Sequence, residues 1–304
     1  MNSSLPTGVF DSGVGGLSVL LALRAELPCE EFVYVADSGH APYGERDDIH
    51  VLARSLAVTQ YLIKRHAIKA LVVACNTATA AAIQTLRRAY PHLPIVGIEP
   101  SLKPAVALSR TGFIGVLATR GTLGSEKFSK LLHSLQGEAT FVLQACDGLA
   151  TAIEQHNVGV IANACVSNMT ALGTFGSNAG EIDTLVLGCT HYPFIADRLL
   201  ECAHYAIHMV DGGAPVARQT RRLLTQRNAL VRPPPDCNEK CAVPVNYLTT
   251  SESDNLSAAI ARWMRESAPV TTVRIPDLST ANNLSTNAHK EWPAVLDSNQ
   301  LPRT

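Results

Sequence analysis

The chain has 304 residues, 46% of them hydrophobic and 17% charged, so it carries ample material for buried cores and is no disordered chain. Its 25 Lys and Arg balance 26 Asp and Glu to a formal charge of −1, and aromatics are 5%, which argues against nucleic acid, an anionic membrane surface or base-stacking platforms as partners. At ~100–200 residues per domain the length suggests two domains, and what remains is a globular protein acting on a small molecule.

Short apolar runs predict buried strands at Gly8–Phe10, Phe32–Ala36, Ala70–Ala74, Ile95–Ile98, Phe113–Leu117, Phe141–Leu143, Thr184–Leu187, Ala206–Val210 and Val245–Leu248. Amphipathic stretches predict helices between them at Leu17–Leu27, Asp48–Arg65, Ala78–Tyr90, Leu123–Leu135, Phe194–Ala203 and Ala214–Gln226. This alternation specifies an α/β protein with parallel sheets covered on both faces, whose ligand sites lie beyond the carboxyl ends of the strands. Arg232–Cys241, with three consecutive prolines and four charges, reads as a loop or insertion. Ala268–Thr304 is rich in Ser, Thr, Asn and Pro without periodicity and reads as a mostly disordered tail, so a chain ending near residue 267 is expected to fold and work.

Met1–Thr7 lacks the basic and apolar regions of a signal peptide, and no 18 apolar residues run together, so a cytoplasmic protein is expected. The 8 cysteines include no CxxC pair, and in a reducing compartment their chemistry is catalytic or structural. Two of them are placed alike. Ala70-Leu-Val-Val-Ala-Cys75-Asn76-Thr77 and, 114 residues later, Thr184-Leu-Val-Leu-Gly-Cys189-Thr190-His191 are both an apolar strand, then Cys, then polar residues opening a helix. A helix N-terminus stabilises an anion and lowers a thiol's pKa. Two such thiols facing across a cleft form a two-base pair: one removes a proton from one face of a carbon and the other delivers a proton to the opposite face, the chemistry of a racemase or epimerase.

Other strand ends carry further candidates. Asp11-Ser12-Gly-Val-Gly-Gly16 opens the first helix, where exposed amides suit a carboxylate or phosphate. It is not a dinucleotide fingerprint, because Ser18 stands where the third glycine belongs, and it lacks the GK[ST] of a P-loop. In Asp37–Gly44, Tyr43 and Gly44 offer a hydroxyl and a backbone amide. His191, two residues beyond Cys189, is a candidate proton partner, whereas Glu154 reads from sequence alone as a helix surface charge. The zinc-like spacings His204–His208 and Cys237–Cys241 fall at a helix-to-strand junction and in the Pro-rich insertion, so no metal site is expected.

GVFDSGVGGLSVL at 8–20, APYG at 41–44, VVACNTAT at 72–79, VGIEPSLKPA at 96–105, LVLGCTHYP at 185–193 and VDGGAPVA at 210–217 together resemble the glutamate racemase family of the cofactor-independent aspartate/glutamate racemases, over about residues 8–267. The resemblance implies two similar doubly wound α/β domains with the active site in the cleft between them: 1–98 plus 211–267, and 99–210. It implies catalytic roles for Cys75, Cys189, Asp11, His191 and Glu154. It implies substrate contacts from Asp11, Ser12, Tyr43, Gly44, Asn76, Thr77, Thr190 and His191, with glutamate as substrate, no cofactor and a homodimer. The D-glutamate made by the family is a building block of bacterial peptidoglycan. One departure from the family pattern is Asp147, where proline usually follows the cysteine at 146. Aspartate racemisation and a carboxylate-binding regulatory role on the same fold are the alternatives.

Overall fold

A computed structural model of the chain describes residues 3–231 and 243–277. It contains two wholly parallel sheets. The strands are β1 (Thr7–Asp11), β2 (Phe32–Ala36), β3 (Ala70–Val73), β4 (Ile95–Gly97), β5 (Phe113–Ala118), β6 (Thr140–Ala145), β7 (Thr184–Gly188), β8 (His208–Val210), β9 (Val245–Thr249) and β10 (Val270–Thr272). The first sheet has the order β10-β9-β2-β1-β3-β4 and the second β6-β5-β7-β8.

The burial of these strands follows from their sequence. β1, β2, β3 and β7 are buried along their whole length, as strands covered by helices on both faces must be. Alternate residues feed two cores: Val9, Tyr34 and Val72 meet Leu17, Leu20 and Leu23 on one face. Phe10, Val35 and Val73 meet Val58, Leu62 and Ile83 on the other. The second sheet divides its apolar residues the same way, with Leu185 and Leu187 on one face and Ile114, Val116 and Val186 on the other.

The internal repeat has a topological meaning. After β1 the chain adds β2 on one side and β3 on the other; after β5 it adds β6 on one side and β7 on the other. Each sheet therefore reverses winding direction beside its first strand, and the crevice at such a switch point is where open α/β sheets bind ligands. Cys75 follows β3 and Cys189 follows β7, the equivalent strand in each sheet.

Two expectations change. The helix Val158–Leu172, apolar on most of its circumference, has no amphipathic period to reveal it. The expected tail packs from its start: Val270 pairs with Tyr247 to extend the first sheet, Ile275 is buried, and Arg54 donates from Nη1 to Ile275 O at 2.9 Å and to Asp277 Oδ1 at 2.8 Å. A β-branched run of three residues suffices for an edge strand but is too short to show a period. Residues 278–304 and the Arg232–Cys241 insertion lie outside the described residues. The described helices include none long and apolar enough to cross a membrane.

A chain ended at residue 267 is accordingly expected to be less stable than the full chain. It loses β10 and the buried Ile275 side chain, the latter alone worth ~1.5–3 kcal/mol. Its melting temperature should fall by ~5 °C or more relative to the full chain in a thermal melt. Coincident melting curves would show that the segment adds no stability.

Candidate active site in the interdomain cleft

The glycine-rich turn after β1 is held against the second domain, not open to solvent. A Cβ on Gly13 would lie 1.9 Å from Glu154 Oε1, and one on Gly15 would lie 2.4 Å from His191 Nδ1. Only glycine permits this approach. The amide of Val14 donates to Glu154 Oε1 at 2.6 Å. The anion met by this turn is thus a carboxylate of the chain itself, which corrects the expectation of an open anion cradle.

Asp11 sits behind the turn, fully buried. It accepts from Gly13 N at 2.7 Å and from Thr190 Oγ1 at 3.0 Å, a bond that joins the two domains. Burial pushes its carboxyl up to about 6, with the Glu154 charge adding to the rise; the His191 charge and the bonds from Gly13 and Thr190 oppose it. Ser12 follows and lines the cleft. The raised value has a consequence for stability. An acid whose pKa rises on folding contributes favourably while protonated, and this contribution is lost as pH climbs from about 4 through about 6. The melting temperature of Asp11→Asn minus that of the wild type should therefore grow between pH 4 and 7. A difference that stays constant would show that Asp11 does not titrate in this window.

Cys75 caps the helix Asn76–Ala89, and its Sγ accepts from Ala78 N at 3.4 Å. The thiol donates to Ser12 Oγ at 3.8 Å. The expected lowering of its pKa does not follow: burial, with the Asp11 charge, pushes the thiol up to about 12, outweighing the Ala78 amide and the Ser12 hydroxyl. Desolvation of the thiolate exceeds what one turn of helix returns.

Cys189 has different surroundings. No α-helix starts at it; a tight turn leads to a 3₁₀ helix at Tyr192–Ile195. Its sulfur lies 3.5 Å from His191 Nδ1, and His191 Nε2 lies 2.7 Å from Glu154 Oε1. Burial alone would hold the imidazole below its usual range, but the hydrogen bonds to Cys189 and Glu154 and their charges together raise it well above. Glu154, taken from sequence for a surface charge, is the inner end of a Cys189–His191–Glu154 chain. The residues of the segment alone do not mark it; the family resemblance points to it, and the fold shows the contacts.

The two cysteines line one cleft between the sheets. Ser12, Tyr43, Gly44, Cys75, Asn76, Thr77, Glu154, Cys189, Thr190 and His191 all face it, while Asp11 stands one layer behind. Tyr43 differs in detail from expectation. Its hydroxyl donates to Asp37 Oδ2 at 2.6 Å, and Asp37 is also paired with buried Arg54, so the hydroxyl is committed inside the first domain. Asn76 Oδ1 is buried without a hydrogen-bond partner among the described residues. Thr77 meets Thr119 of the second domain, their hydroxyl oxygens 3.0 Å apart. Thr119, Arg120, Cys146 and Asp147 also line the cleft and were not singled out from sequence. They follow β5 and β6, so the strand-end rule applied to every strand would have found them. No cluster of three or more His, Cys, Asp or Glu fit to hold a metal occurs among the described residues.

The sequence pattern of the Asp/Glu/hydantoin racemases matches residues 18–220. Among curated proteins, a glutamate racemase of Ectopseudomonas mendocina is 43% identical over 88% of this chain and 98% of its own length. Among solved structures, the glutamate racemase isoform RacE1 of Bacillus anthracis superposes with a TM-score of 0.78 at 29% identity, covering 91% of this chain and 100% of that one. Escherichia coli glutamate racemase, in complex with L-glutamate and the activator UDP-MurNAc-ala, superposes with a TM-score of 0.74 at 29% identity, covering 90% of this chain and 100% of that one.

Proposed function

We propose, for a chain that belongs to the Asp/Glu/hydantoin racemase family, that it interconverts L- and D-glutamate by a two-thiol, two-base reaction without a cofactor. The observation that supports this most is the placement of Cys75 and Cys189 at equivalent strand ends of two sheets, both lining one cleft. In one direction a thiolate sulfur takes the α proton into a new S–H bond, and the electron pair of the broken C–H bond stays on the α carbon as the carbanion develops. The opposite thiol then delivers its own proton to the other face, and the roles exchange on the return. Cys75 rests as a thiol, the acid form. To act as a base it must first pass its own proton to Asp11 through the Ser12 hydroxyl, and the α-ammonium group of the substrate, brought into the cleft, favours the thiolate left behind. His191, carrying its proton and held by Glu154, is the partner of Cys189.

The carbanion needs donors set in advance in a water-poor site. Ser12, Asn76, Thr77 and Thr190 fill that role, with the Gly44 amide, the ring of Tyr43 and His191 completing the substrate contacts. The D-glutamate formed serves peptidoglycan synthesis in the cytoplasm, and the enzyme works as a homodimer.

The test is incubation with L-glutamate, then with L-aspartate, in deuterated water without additions. Inversion with deuterium at the α carbon for glutamate and not aspartate is the expected result. Inversion of aspartate alone would assign the other substrate, and inversion of neither would leave a carboxylate-binding protein.

A further inference from the structure

We propose that Arg120, paired with Asp147 at the mouth of the cleft, is a substrate-binding residue that leaves Asp147 to take the side-chain carboxylate of the incoming substrate; this rests on the dicarboxylate reading above. Among the described residues lining the cleft, Arg120 alone carries a permanent positive charge, whereas Glu45, Asp147 and Glu154 are acidic. A dicarboxylic amino acid enters with two carboxylates against one ammonium group, and its trailing carboxylate, far from the ammonium and from His191 at the base of the cleft, is repelled by the acidic lining unless Arg120 is free to meet it.

The position of Arg120 is fixed from both sides. The rim is tight where Gly44 of the first domain meets Thr119 of the second: a Cβ on Gly44 would lie 2.8 Å from Thr119 Cβ. Thr119 caps the short helix Arg120–Leu123 through its side chain, so the next residue, Arg120, projects at that rim. Its Nη2 is hydrogen-bonded to Asp147 Oδ2 of the loop after β6.

The pair is built to exchange. The Arg120 side chain is 72% exposed and that of Asp147 51% exposed. Exposed ion pairs contribute little, because water screens both charges. Opening this one is therefore cheap, and the guanidinium fork can then hold a substrate carboxylate through two parallel bonds. The deeper donors Asn76, Thr77 and Thr190, each nearly fully buried, suit the α-carboxylate, which leaves the trailing carboxylate for the rim. Asp147 competes for Arg120 and holds it at the mouth until substrate arrives.

Opposite changes are expected from the two partners. Arg120→Ala should raise KM for both enantiomers of glutamate by ~10-fold, with the effect on KM and not on kcat, and Arg120→Lys should restore part of the loss. Asp147→Asn, which frees Arg120 and removes a negative charge, should lower KM by ~2–5-fold. Calorimetric titration with glutarate, a dicarboxylate without an α-amino group, should show ~10-fold weaker binding to Arg120→Ala at low salt. The difference should shrink as salt is added. Glutarate affinity and KM unchanged in Arg120→Ala, or a raised KM in Asp147→Asn, would overturn the proposal. A wild-type protein that does not racemise glutamate would overturn the functional reading instead, and the glutarate titration would still decide the role of Arg120.

Discussion

Cys75→Ala and Cys189→Ala should each lower racemisation by at least ~10²–10⁴-fold in both directions, the scale of a positioned acid–base group. Each thiol acts as base in one direction and as acid in the other, so losing either interrupts both. Neither can replace the other, because they project from different sheets. Both are buried, at 6% and 7% exposure, so the cost to folding is that of one small apolar group and a thermal melt will separate the two effects. Cys165, also buried but in the core of the second domain away from the cleft, is the control: Cys165→Ala should keep near-normal turnover. Near-normal kcat in either cleft variant would refute the two-thiol assignment.

Asp11→Asn and His191→Asn should slow proton abstraction by ~10²–10⁴-fold, each mainly in one direction. Asp11 reaches Cys75 through Ser12, whose hydroxyl is 3.4 Å from Asp11 Oδ1 and 3.8 Å from Cys75 Sγ. His191 touches Cys189 directly. Asp11→Asn should therefore slow the direction in which Cys75 is the base more than its reverse, and His191→Asn the opposite. The equilibrium between enantiomers is fixed, so the asymmetry lies in single steps. Pre-steady-state abstraction or isotope effects measured from each enantiomer will show it. Equal effects of both variants in both directions would refute this division of labour. The crossing bond from Thr190 to Asp11 sets a bound on the asymmetry, because it couples the two halves of the site.

The strand-end rule and the hydrophobic runs made most of the fold legible. Buried strands such as Phe32–Ala36 and Thr184–Gly188 are unbroken apolar segments, and helices such as Asp48–His66 keep one apolar stripe. The helix Val158–Leu172 and the strand Val270–Thr272 escaped, one for lack of a polar face and the other for lack of length. In the site, residues adjacent in sequence to a strand end were readable. What sequence could not give was depth and partnership. The Cys75 thiol gains a helix N-terminus, as its position announces, but burial decides its proton affinity. The Tyr43 hydroxyl looks free in a loop and is spent on Asp37. Glu154 is separated from Val14 by 140 residues and from His191 by 37, so nothing local marks it. The resemblance to known racemases supplied Glu154, and the fold supplies the reason: its carboxylate closes the glycine turn and holds the histidine.

The central claim is that two different groups handle the proton on the two faces of the α carbon. Its most direct test is the isotope content of both enantiomers at low conversion, starting from protiated L-glutamate in deuterated water. Two thiols on opposite faces predict D-glutamate carrying deuterium, because its proton comes from the second, solvent-exchanged thiol, while the unreacted L-glutamate stays protiated. D-glutamate that retains the original proton, with deuterium appearing in the unreacted L-glutamate, would mean a single base serving both faces and would contradict the account.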